Sequence, residues 1–451
     1  MPALAVWMNG QRVGTWTQSR GGVSEFEYAQ SWIESEHFRV ISLSLPLTAD
    51  RKVRGSAVTH YFDNLLPENP DVRKRISARF AVRAETFDLL TAIGRDCVGA
   101  VQLLPPDTPP AGWDRVEGTV LDEAEVAAHL RRVTSPARLG APDDEDEFRI
   151  SIAGVQEKTA LLSMSGAWYR PEGVTPTTHI LKLPLGVIGG GLDFNHSVEN
   201  EWLCARFLKA HGVKVAEVEI GQFEDQKVLI VERFDRRWIG AEEADVAKTR
   251  FKPGKGVWIA RLPQEDMCQA LALPPEKKYE NLGGPSMRNI LQLLAGSETA
   301  ATDMAEFVLT QLLFWLLAAP DGHAKNFSLR LEAGGRYRAT PIYDVLSAWP
   351  IIGRGAKQRP YEKVSLAMAL RGKNAHYRLH SIRPRHWRDL AVYVGIDGLW
   401  DRLIDHVNRA PRVMQLLEAE LPRDFPGSVY DKIRKGVERH AKAFLRDVRD
   451  V

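Results

Sequence analysis

The stretch Asp321-Gly322-His323-Ala324-Lys325-Asn326 decides how the fold of this 451-residue chain is interpreted. It follows an apolar run, Phe307 to Ala319, that ends at Pro320. Such a run predicts a buried helix that stops at the proline, so we expect the polar stretch on a loop anchored by that helix. Asp-Gly and Asn are also common in turns, and an ordinary turn is the alternative for this stretch by itself.

A second acid, Asp344, comes eighteen residues after Asn326, beyond the strand-like segment Tyr337 to Pro341. A hairpin of that length can return Asp344 to Asn326, and Mg²⁺ needs only a few protein oxygens beside water and phosphate. In protein kinases, the aspartate that accepts the substrate proton and the metal-binding asparagine have the separation of Asp321 and Asn326. The pattern predicts phosphoryl transfer, with Asp321 as base and Asn326 and Asp344 on the metal.

Lys182 lies in the apolar, strand-like run His179 to Leu183. Lysine is disfavoured inside strands, so its charge needs a partner, and Glu199 and Glu201 at the start of the next helix are candidates. A kinase strand lysine reaches the phosphates of ATP. An edge-strand lysine that faces water is the alternative.

Three further segments have weaker signals. The small-residue turn from Ser151 to Thr159 could let backbone N–H groups approach phosphates, but it holds one glycine, and a plain hairpin is the alternative. Glu232-Arg233-Phe234 ends a buried strand where β-rich sequence gives way to helical sequence, which suggests a hinge that binds adenine or an ordinary strand exit. Gly189–Gly191 indicates a mobile loop that could gate access to the site, and a phosphate cradle is the alternative.

The stretch from Arg371 to Arg388 holds six Lys or Arg residues, three histidines, Tyr377 and Trp387. It is the best candidate nucleic-acid surface, and a solvated basic face is the alternative. The whole chain gives no such indication, because its formal net charge is only +2.

The composition, 44% hydrophobic and 26% charged, is typical of a globular protein. The N-terminus lacks a signal-peptide pattern, and the longest apolar run is too short to cross a bilayer. We therefore expect a soluble, cytoplasmic protein without a membrane partner. Three distant cysteines, without CxxC spacing, predict neither a disulfide framework nor a structural zinc site.

The order of predicted elements indicates an α+β chain with a small β lobe followed by a larger helical lobe. We predict four parts: residues 1–110, with a hairpin at Asn9-Gly10, a strand at Ile41–Leu45 and helices; 111–147, a linker helix and an acidic loop; 148–231, β-rich; and 232–451, mainly helical and beginning with a helix at Gln264–Ala270. A cleft between the two lobes would hold the nucleotide.

Taken together, these stretches resemble the HipA family, the kinase toxins of bacterial HipA–HipB toxin–antitoxin systems. The resemblance covers nearly the whole chain. It is carried by these runs: Val6–Asn9, Phe62–Pro67, Ile93–Asp96, Ser151–Thr159, Thr178–Pro184, Glu232–Arg236, Arg261–Cys268, Asp321–Asn326 and Tyr343-Asp344. It implies a two-lobed protein-kinase-like fold with an extra N-terminal α+β subdomain.

The resemblance also implies roles for individual residues. Ser151 matches the serine whose autophosphorylation ejects the phosphate-binding loop and silences the kinase. Asp321 matches the catalytic base, while Asn326 and Asp344 match the Mg²⁺ ligands. The ATP-binding positions are Ala153, Gly154, Val155, Gln156, Glu157, Lys158, Lys182, Glu232, Arg233, Phe234, His323, Ala324, Lys325, Asn326 and Tyr343.

The family's partners follow in the same way. Members phosphorylate serine or threonine in proteins, glutamyl-tRNA synthetase being the known kind, which halts translation and favours persistence in a bacterial cytoplasm. A HipB-like helix-turn-helix antitoxin dimer binds the toxin and takes it to operator DNA as a co-repressor. DNA contact at Arg383, Arg385 and Arg388 is a hypothesis from the basic stretch alone.

Two alternatives to a protein kinase toxin stay open. One is a small-molecule kinase, since the fold and the loop do not fix the acceptor. The other is a DNA-binding co-repressor on an inactive kinase scaffold, against which the intact Asp321, Asn326, Asp344 and Lys182 argue.

Overall fold

The computed structural model describes residues 1–19, 21–134, 150–151, 156–248 and 251–448. They form two compact units. Unit 1 comprises Met1–Leu183, Gly221–Glu276 and Leu329–Arg336, and unit 2 comprises Pro184–Ile220, Lys277–Ser328 and Tyr337–Val451. The acidic run at 143–147 lies outside the described residues.

The strands are, in chain order, β1 (Ala3–Met8), β2 (Gln11–Gln18), β3 (Ser24–Tyr28), β4 (Lys52–Arg54), β5 (Asp96–Cys97), β6 (Gln102–Leu104), β7 (Gly118–Leu121), β8 (Ile150–Ser151), β9 (Lys158–Met164), β10 (Ala167–Pro171), β11 (His179–Lys182), β12 (Gly186–Ile188), β13 (Leu192–Phe194), β14 (Val218–Phe223), β15 (Gln226–Glu232), β16 (Arg236–Ile239), β17 (Trp258–Arg261), β18 (Gln264–Asp266), β19 (Ser328–Leu331), β20 (Tyr337–Ala339), β21 (Ser365–Arg371) and β22 (Ala375–Arg378). The helices are α1 (Gln30–Ile33), α2 (Ser56–Asp63), α3 (Pro70–Phe80), α4 (Thr86–Ile93), α5 (Glu123–Thr134), α6 (Ser197–Ala210), α7 (Glu243–Val246), α8 (Met267–Ala270), α9 (Met287–Leu294), α10 (Ala300–Leu317), α11 (Pro384–Val394), α12 (Leu399–Glu418) and α13 (Gly427–Asp447).

The first sheet of unit 1 has the order β4-β3-β2-β1-β6. Its first hairpin turns at Asn9 and Gly10, whose φ angles of 46° and 79° are both positive, as a type I′ turn requires. The predicted Asn-Gly hairpin is therefore confirmed. Helices α2 and α4 pack beside this sheet, where the rings of Trp16 and Phe62 stack with centroids 4.0 Å apart in a buried core.

The second sheet of unit 1 has the order β14-β15-β11-β9-β10-β7. Helix α5 packs on β9, β15 and β7, and the buried Val126, Leu130, Leu161 and Leu181 form the core beneath it. The sheet places β11, which carries Lys182, between β9 and β15.

The predicted strand Ile41–Leu45 is wrong, because the segment forms turns instead. Ile41 and Leu45 are buried, which produced the alternating pattern, but the polar groups between them bond to side chains far along the chain. The N–H of Leu43 donates to Oε1 of Glu265 at 2.9 Å, and the hydroxyl of Ser42 donates to Oε2 at 2.5 Å.

The predicted helix Gln264–Ala270 is half wrong, since β18 occupies its first three residues and α8 begins only at Met267. Asp266 ends the strand and caps the helix, because its carboxylate accepts from the N–H of Gln269 at 2.9 Å. The division into units also differs from the predicted ranges: residues 232–276 belong to unit 1, not to the helical part.

A buried network of ions explains why residues 232–276 stay with unit 1. Asp96 on β5 accepts from Arg233, Arg236 and Arg261, with N–O distances of 3.2, 2.8 and 3.1 Å. Asp235 accepts from Arg233 through both carboxylate oxygens, at 3.0 and 2.9 Å. Burial raises the pKa of Asp96, but the three guanidinium groups outweigh it and hold that pKa below its usual range.

We expect Asp96→Asn to lower the free energy of unfolding by about 3–5 kcal/mol, because it leaves buried guanidinium groups without their shared counter-charge. Urea denaturation measures the change. Asp405→Asn is the matched control, since Asp405 pairs with Arg409 at the surface and its side chain is 64% exposed. Equal effects of the two substitutions would refute a structural role for the network.

Unit 2 contains the hairpins β12–β13 and β21–β22 and the helices α6 and α9–α13. Helix α10 packs against α9, α11, α12 and α13. It begins at Ala300, earlier than the apolar run suggested, and is the one helix among the described residues with the length and mean hydropathy (1.3) of a membrane span. Because 61% of that helix is buried inside the protein, packing accounts for its apolar composition.

His440 of α13 lies in the core of unit 2, where its ring stacks on Trp315 with centroids 4.3 Å apart. Nδ1 is 2.7 Å from the carbonyl oxygen of Trp315, and Nε2 is 2.7 Å from the hydroxyl of Tyr361. A neutral ring satisfies both groups, donating through Nδ1 and accepting at Nε2. Burial lowers the pKa of His440 from 6.5 to about 3.

The buried His440 predicts a loss of stability in mild acid. The unfolded chain takes up the proton near pH 6.5 and the folded chain only near pH 3, so this stabilisation is complete above pH 6.5 and declines below it. Each pH unit in that window costs up to about 1.4 kcal/mol. Urea denaturation from pH 8 to 5 should show a flatter pH dependence for His440→Asn than for the wild type. The exposed His37→Asn should keep the wild-type slope, and equal slopes in all three proteins would contradict the assignment.

Candidate active site

The end of α10 sets the position of the polar loop at Asp321. Ala318 takes a left-handed conformation with φ 49°, and the N–H of Ala319 donates to the carbonyl of Phe314 at 2.8 Å. Pro320 then prevents the helix from continuing. A Cβ on Gly322 would come within 2.4 Å of the Phe314 ring, so this loop position needs glycine.

The side chain of Asn326 connects the two predicted acids. Its Nδ2 donates to the carbonyl oxygen of Asp321 at 2.7 Å and to that of Asp344 at 3.4 Å. The structure therefore brings Asp321, Asn326 and Asp344 together in unit 2. Because Nδ2 already donates to two backbone carbonyls, the amide oxygen Oδ1 is the Asn326 atom suited to a metal.

The conformation of Asp344 is unusual, since its φ of 61° lies in the left-handed region. Aspartate tolerates this region better than most residues, and such angles are frequent at functional sites. The hydroxyl of the neighbouring Tyr343 donates to the Lys325 carbonyl at 2.8 Å and lies 2.6 Å from the Ser328 hydroxyl. Tyr343, predicted to contact nucleotide, thus fastens the Asp344 segment to the loop.

The side chain of Asp321 remains accessible to solvent, since it is 47% exposed. The hydroxyl of Tyr279 donates to its Oδ1, and Nε2 of His323 is 3.7 Å from the same oxygen. The Tyr279 and His323 rings meet edge to face at 5.0 Å. Ala324 and Lys325, which were predicted to line the nucleotide site, are buried.

Sequence reasoning missed two residues, one that positions this loop and one that positions the segment after Asp344. Tyr279 bonds to Asp321 although it lies 42 residues earlier in the chain. The Asn200 amide of α6 donates to the carbonyl of Ser347 at 2.8 Å and accepts its N–H at 2.9 Å, which holds the segment after Asp344. No spacing or composition signal in the sequence points to these contacts.

Lys182 lies on β11 of unit 1 and is only 5% exposed. It pairs with Lys158 of β9 across the antiparallel ladder. Each of the two strands therefore carries a lysine at this end of the ladder. Gln156 supports the same end, since its Nε2 donates to the carbonyl of Leu183 at 2.5 Å.

The remaining residues of the predicted phosphate loop are described in part. The carboxylate of Glu157 forms an ion pair with Arg75 of α3. The backbone of Ser151 lies in β8, which pairs in parallel with β5 so that Ser151 is opposite Cys97. Ala153, Gly154 and Val155 lie outside the described residues.

A hinge at Glu232, Arg233 and Phe234 predicts that the chain leaves the β-rich part there. In the structure, the chain remains in unit 1 beyond Phe234. The guanidinium of Arg233 is buried in the ion network. The backbone N–H of the same residue donates to the carbonyl of Thr178 at 2.9 Å. The carbonyl of Phe234 accepts from Arg330 at 3.0 Å. Glu232, by contrast, is exposed at the end of β15.

Only some side chains of the basic stretch at 371–388 are exposed to solvent. Arg383 and Arg385 are exposed at the start of α11 and Arg388 is half-buried. Trp387 and His386, which we counted as part of a nucleic-acid surface, are buried. They pack in the core because they lie on the inner face of α11, so the exposed arginines of this helix are the candidates for DNA contact that α11 offers.

The HipA N-terminal domain matches residues 4–104, and the HipA-like C-terminal domain matches residues 150–414. Y4mE of Sinorhizobium fredii, named as a candidate kinase, is 34% identical over 371 residues, 81% of this chain and 82% of that protein. The serine/threonine-protein kinase toxin HipA of Shewanella oneidensis is 29% identical over 339 residues, 71% of this chain and 69% of that protein.

Among solved structures, the complex of Shewanella oneidensis HipA, HipB and operator DNA contains a chain that matches with a TM-score of 0.78. The identity is 23%, and the match covers 99% of both chains. It shows the fold, and the predicted α+β, kinase-like class with an extra N-terminal α+β part is confirmed.

Proposed function

Because the chain belongs to the HipA family, we propose that it is a serine/threonine protein kinase toxin that transfers the γ-phosphoryl group of ATP to a protein hydroxyl. The observation that carries the proposal is the amide of Asn326, which bonds to the backbone of both Asp321 and Asp344. It gathers an exposed carboxylate, an amide oxygen and a second carboxylate, the set that phosphoryl transfer uses.

Asp321 acts as the base in this proposal. Tyr279 and His323 both approach its Oδ1, so Oδ2 is the oxygen that receives the proton of the acceptor hydroxyl. The hydrogen bond from Tyr279 also fixes the carboxylate plane, which orients the base toward one acceptor position.

Asn326 and Asp344 fit Mg²⁺ as oxygen donors. The described residues contain no group of three or more His, Cys, Asp or Glu side chains placed to hold a metal ion. Mg²⁺ needs none, since one or two carboxylates with phosphate and water suffice. When bound, Mg²⁺ neutralises charge on the phosphates of ATP. In unit 1, the family resemblance implies a phosphate contact for Lys182, which has Lys158 opposite it on β9.

The first test is incubation of the purified protein with γ-labelled ATP and Mg²⁺. We expect label on Ser151, as the family resemblance implies, and about 10²–10⁴-fold less in Asp321→Asn, which cannot accept the proton. The exposed Asp405→Asn is the control and should label normally. Ser151→Ala should lose its own label yet still phosphorylate a protein acceptor such as glutamyl-tRNA synthetase. Full labelling in Asp321→Asn would remove Asp321 from the mechanism.

A second role, as co-repressor with a helix-turn-helix antitoxin on operator DNA, is proposed from the complex formed by the Shewanella protein and from the exposed arginines of α11. Arg383→Glu with Arg385→Glu should weaken operator binding by the toxin–antitoxin complex about tenfold or more and reduce its salt dependence. Kinase activity should persist. The control is Arg412→Glu, exposed on α12. Unchanged binding at both low and moderate salt would exclude α11 as the contact.

A further inference from the structure

A cavity of about 740 Å³ opens within unit 2, and Asp321 lies in its wall. Tyr279, which bonds to Asp321, lies in the same wall. The volume is in the range, roughly 300–1,000 Å³, of pockets that hold a small molecule or a short piece of chain. A group bound there has direct access to the proposed base, so this is the place for the acceptor.

Apolar side chains from separate segments of unit 2 line the cavity. The hairpin β12–β13 contributes Ile188, Leu192 and Phe194. Later segments of the chain contribute Ile351 and Leu366. An acceptor with an apolar group beside its hydroxyl gains from burial here, whereas a fully polar acceptor such as a sugar leaves these surfaces uncompensated.

The charged side chains of the lining are mainly basic. Arg359 and Arg378 are exposed residues at the cavity, and Asp321 is the one acidic side chain among the residues that line it. Arg359 donates to the Lys363 carbonyl at 3.3 Å, which restricts the position of its guanidinium. Two guanidinium groups favour a carboxylate on the occupant, because charge-assisted hydrogen bonds to arginine are among the strong ones.

The apolar surface continues outside the cavity. On β12, Val187 is 64% exposed and Ile188 is 40% exposed. A small molecule confined to the cavity leaves this surface in water, whereas an extended polypeptide that passes along the hairpin covers it. The continuity of the two surfaces therefore favours a polypeptide over a small metabolite.

Resting on the proposed function, we infer that the cavity binds an extended acceptor segment of a protein. An apolar side chain next to the phosphorylated serine or threonine fills the space between β12–β13 and Leu366. An acidic residue of the same segment faces Arg359 and Arg378.

The test compares short serine peptides as acceptors for the full-length protein with ATP and Mg²⁺. Peptides with leucine beside the serine and a nearby glutamate should have a kcat/KM about tenfold above those with alanine or lysine at these places, since ~1.4 kcal/mol is tenfold. Arg378→Glu should reverse the preference between glutamate and lysine peptides, and Arg378→Lys should largely retain it. The matched control, Arg354→Glu, is exposed and outside the cavity lining, so it should not alter the preference.

Label on Ser151 is followed in the same reactions, and peptide binding is measured separately by fluorescence anisotropy. Normal Ser151 labelling with no peptide preference, or with a preference that Arg378→Glu leaves intact, overturns the cavity assignment and spares the proposed function. No transfer to any acceptor overturns the proposed function, and anisotropy then decides the cavity: binding that depends on Arg359 and Arg378 supports it, and its absence overturns it. Phosphorylation of small hydroxyl compounds in preference to every peptide also overturns the inference.

Discussion

Unit 1 depends on one buried carboxylate, that of Asp96. Three arginines and the hydroxyl of Thr177 share its two oxygens, and Asp235 supplies the second negative charge. Burying three guanidinium groups against two carboxylates is costly unless every group is bonded. The groups therefore specify one another's positions: a shift of any strand that carries one of them leaves the others in a low-dielectric interior without a partner.

The ion network also constrains the strands that carry the residues proposed for phosphate binding. Asp96 belongs to β5, which pairs with the strand that contains Ser151. Arg233 directly follows β15, and β15 pairs with β11 so that Lys182 is opposite Leu229. The ion network thus fixes the ends of two strands that the proposed chemistry uses. Arg233 has a structural role here, although its place beside a predicted hinge had suggested nucleotide contact.

The predictability of the site follows from distance along the chain. Asp321, Asn326 and Asp344 lie within one loop and hairpin, so residue type and spacing were enough to predict that they meet. Tyr279 could not be predicted, because its contact with Asp321 joins segments that are 42 residues apart in the chain. The same holds for Ile41–Leu45: its period-two pattern is real, but bonds to the distant Glu265 replace the ladder of a strand. Local patterns predict elements well, and fail where a distant polar side chain satisfies the backbone.

The choice of acceptor rests on the surroundings of the base rather than on the base itself. An aspartate held by Asn326 and Tyr279 can accept a proton from any hydroxyl that reaches it, so this loop alone permits a sugar, a metabolite or a protein. The walls around it are more selective, because apolar side chains exclude heavily hydroxylated acceptors and arginines disfavour basic ones. An inactive scaffold kept only for DNA binding has no need of an accessible carboxylate at the edge of such a cavity. The half-exposed Asp321 therefore favours a working kinase, and the apolar, positively charged lining favours a protein segment as its acceptor.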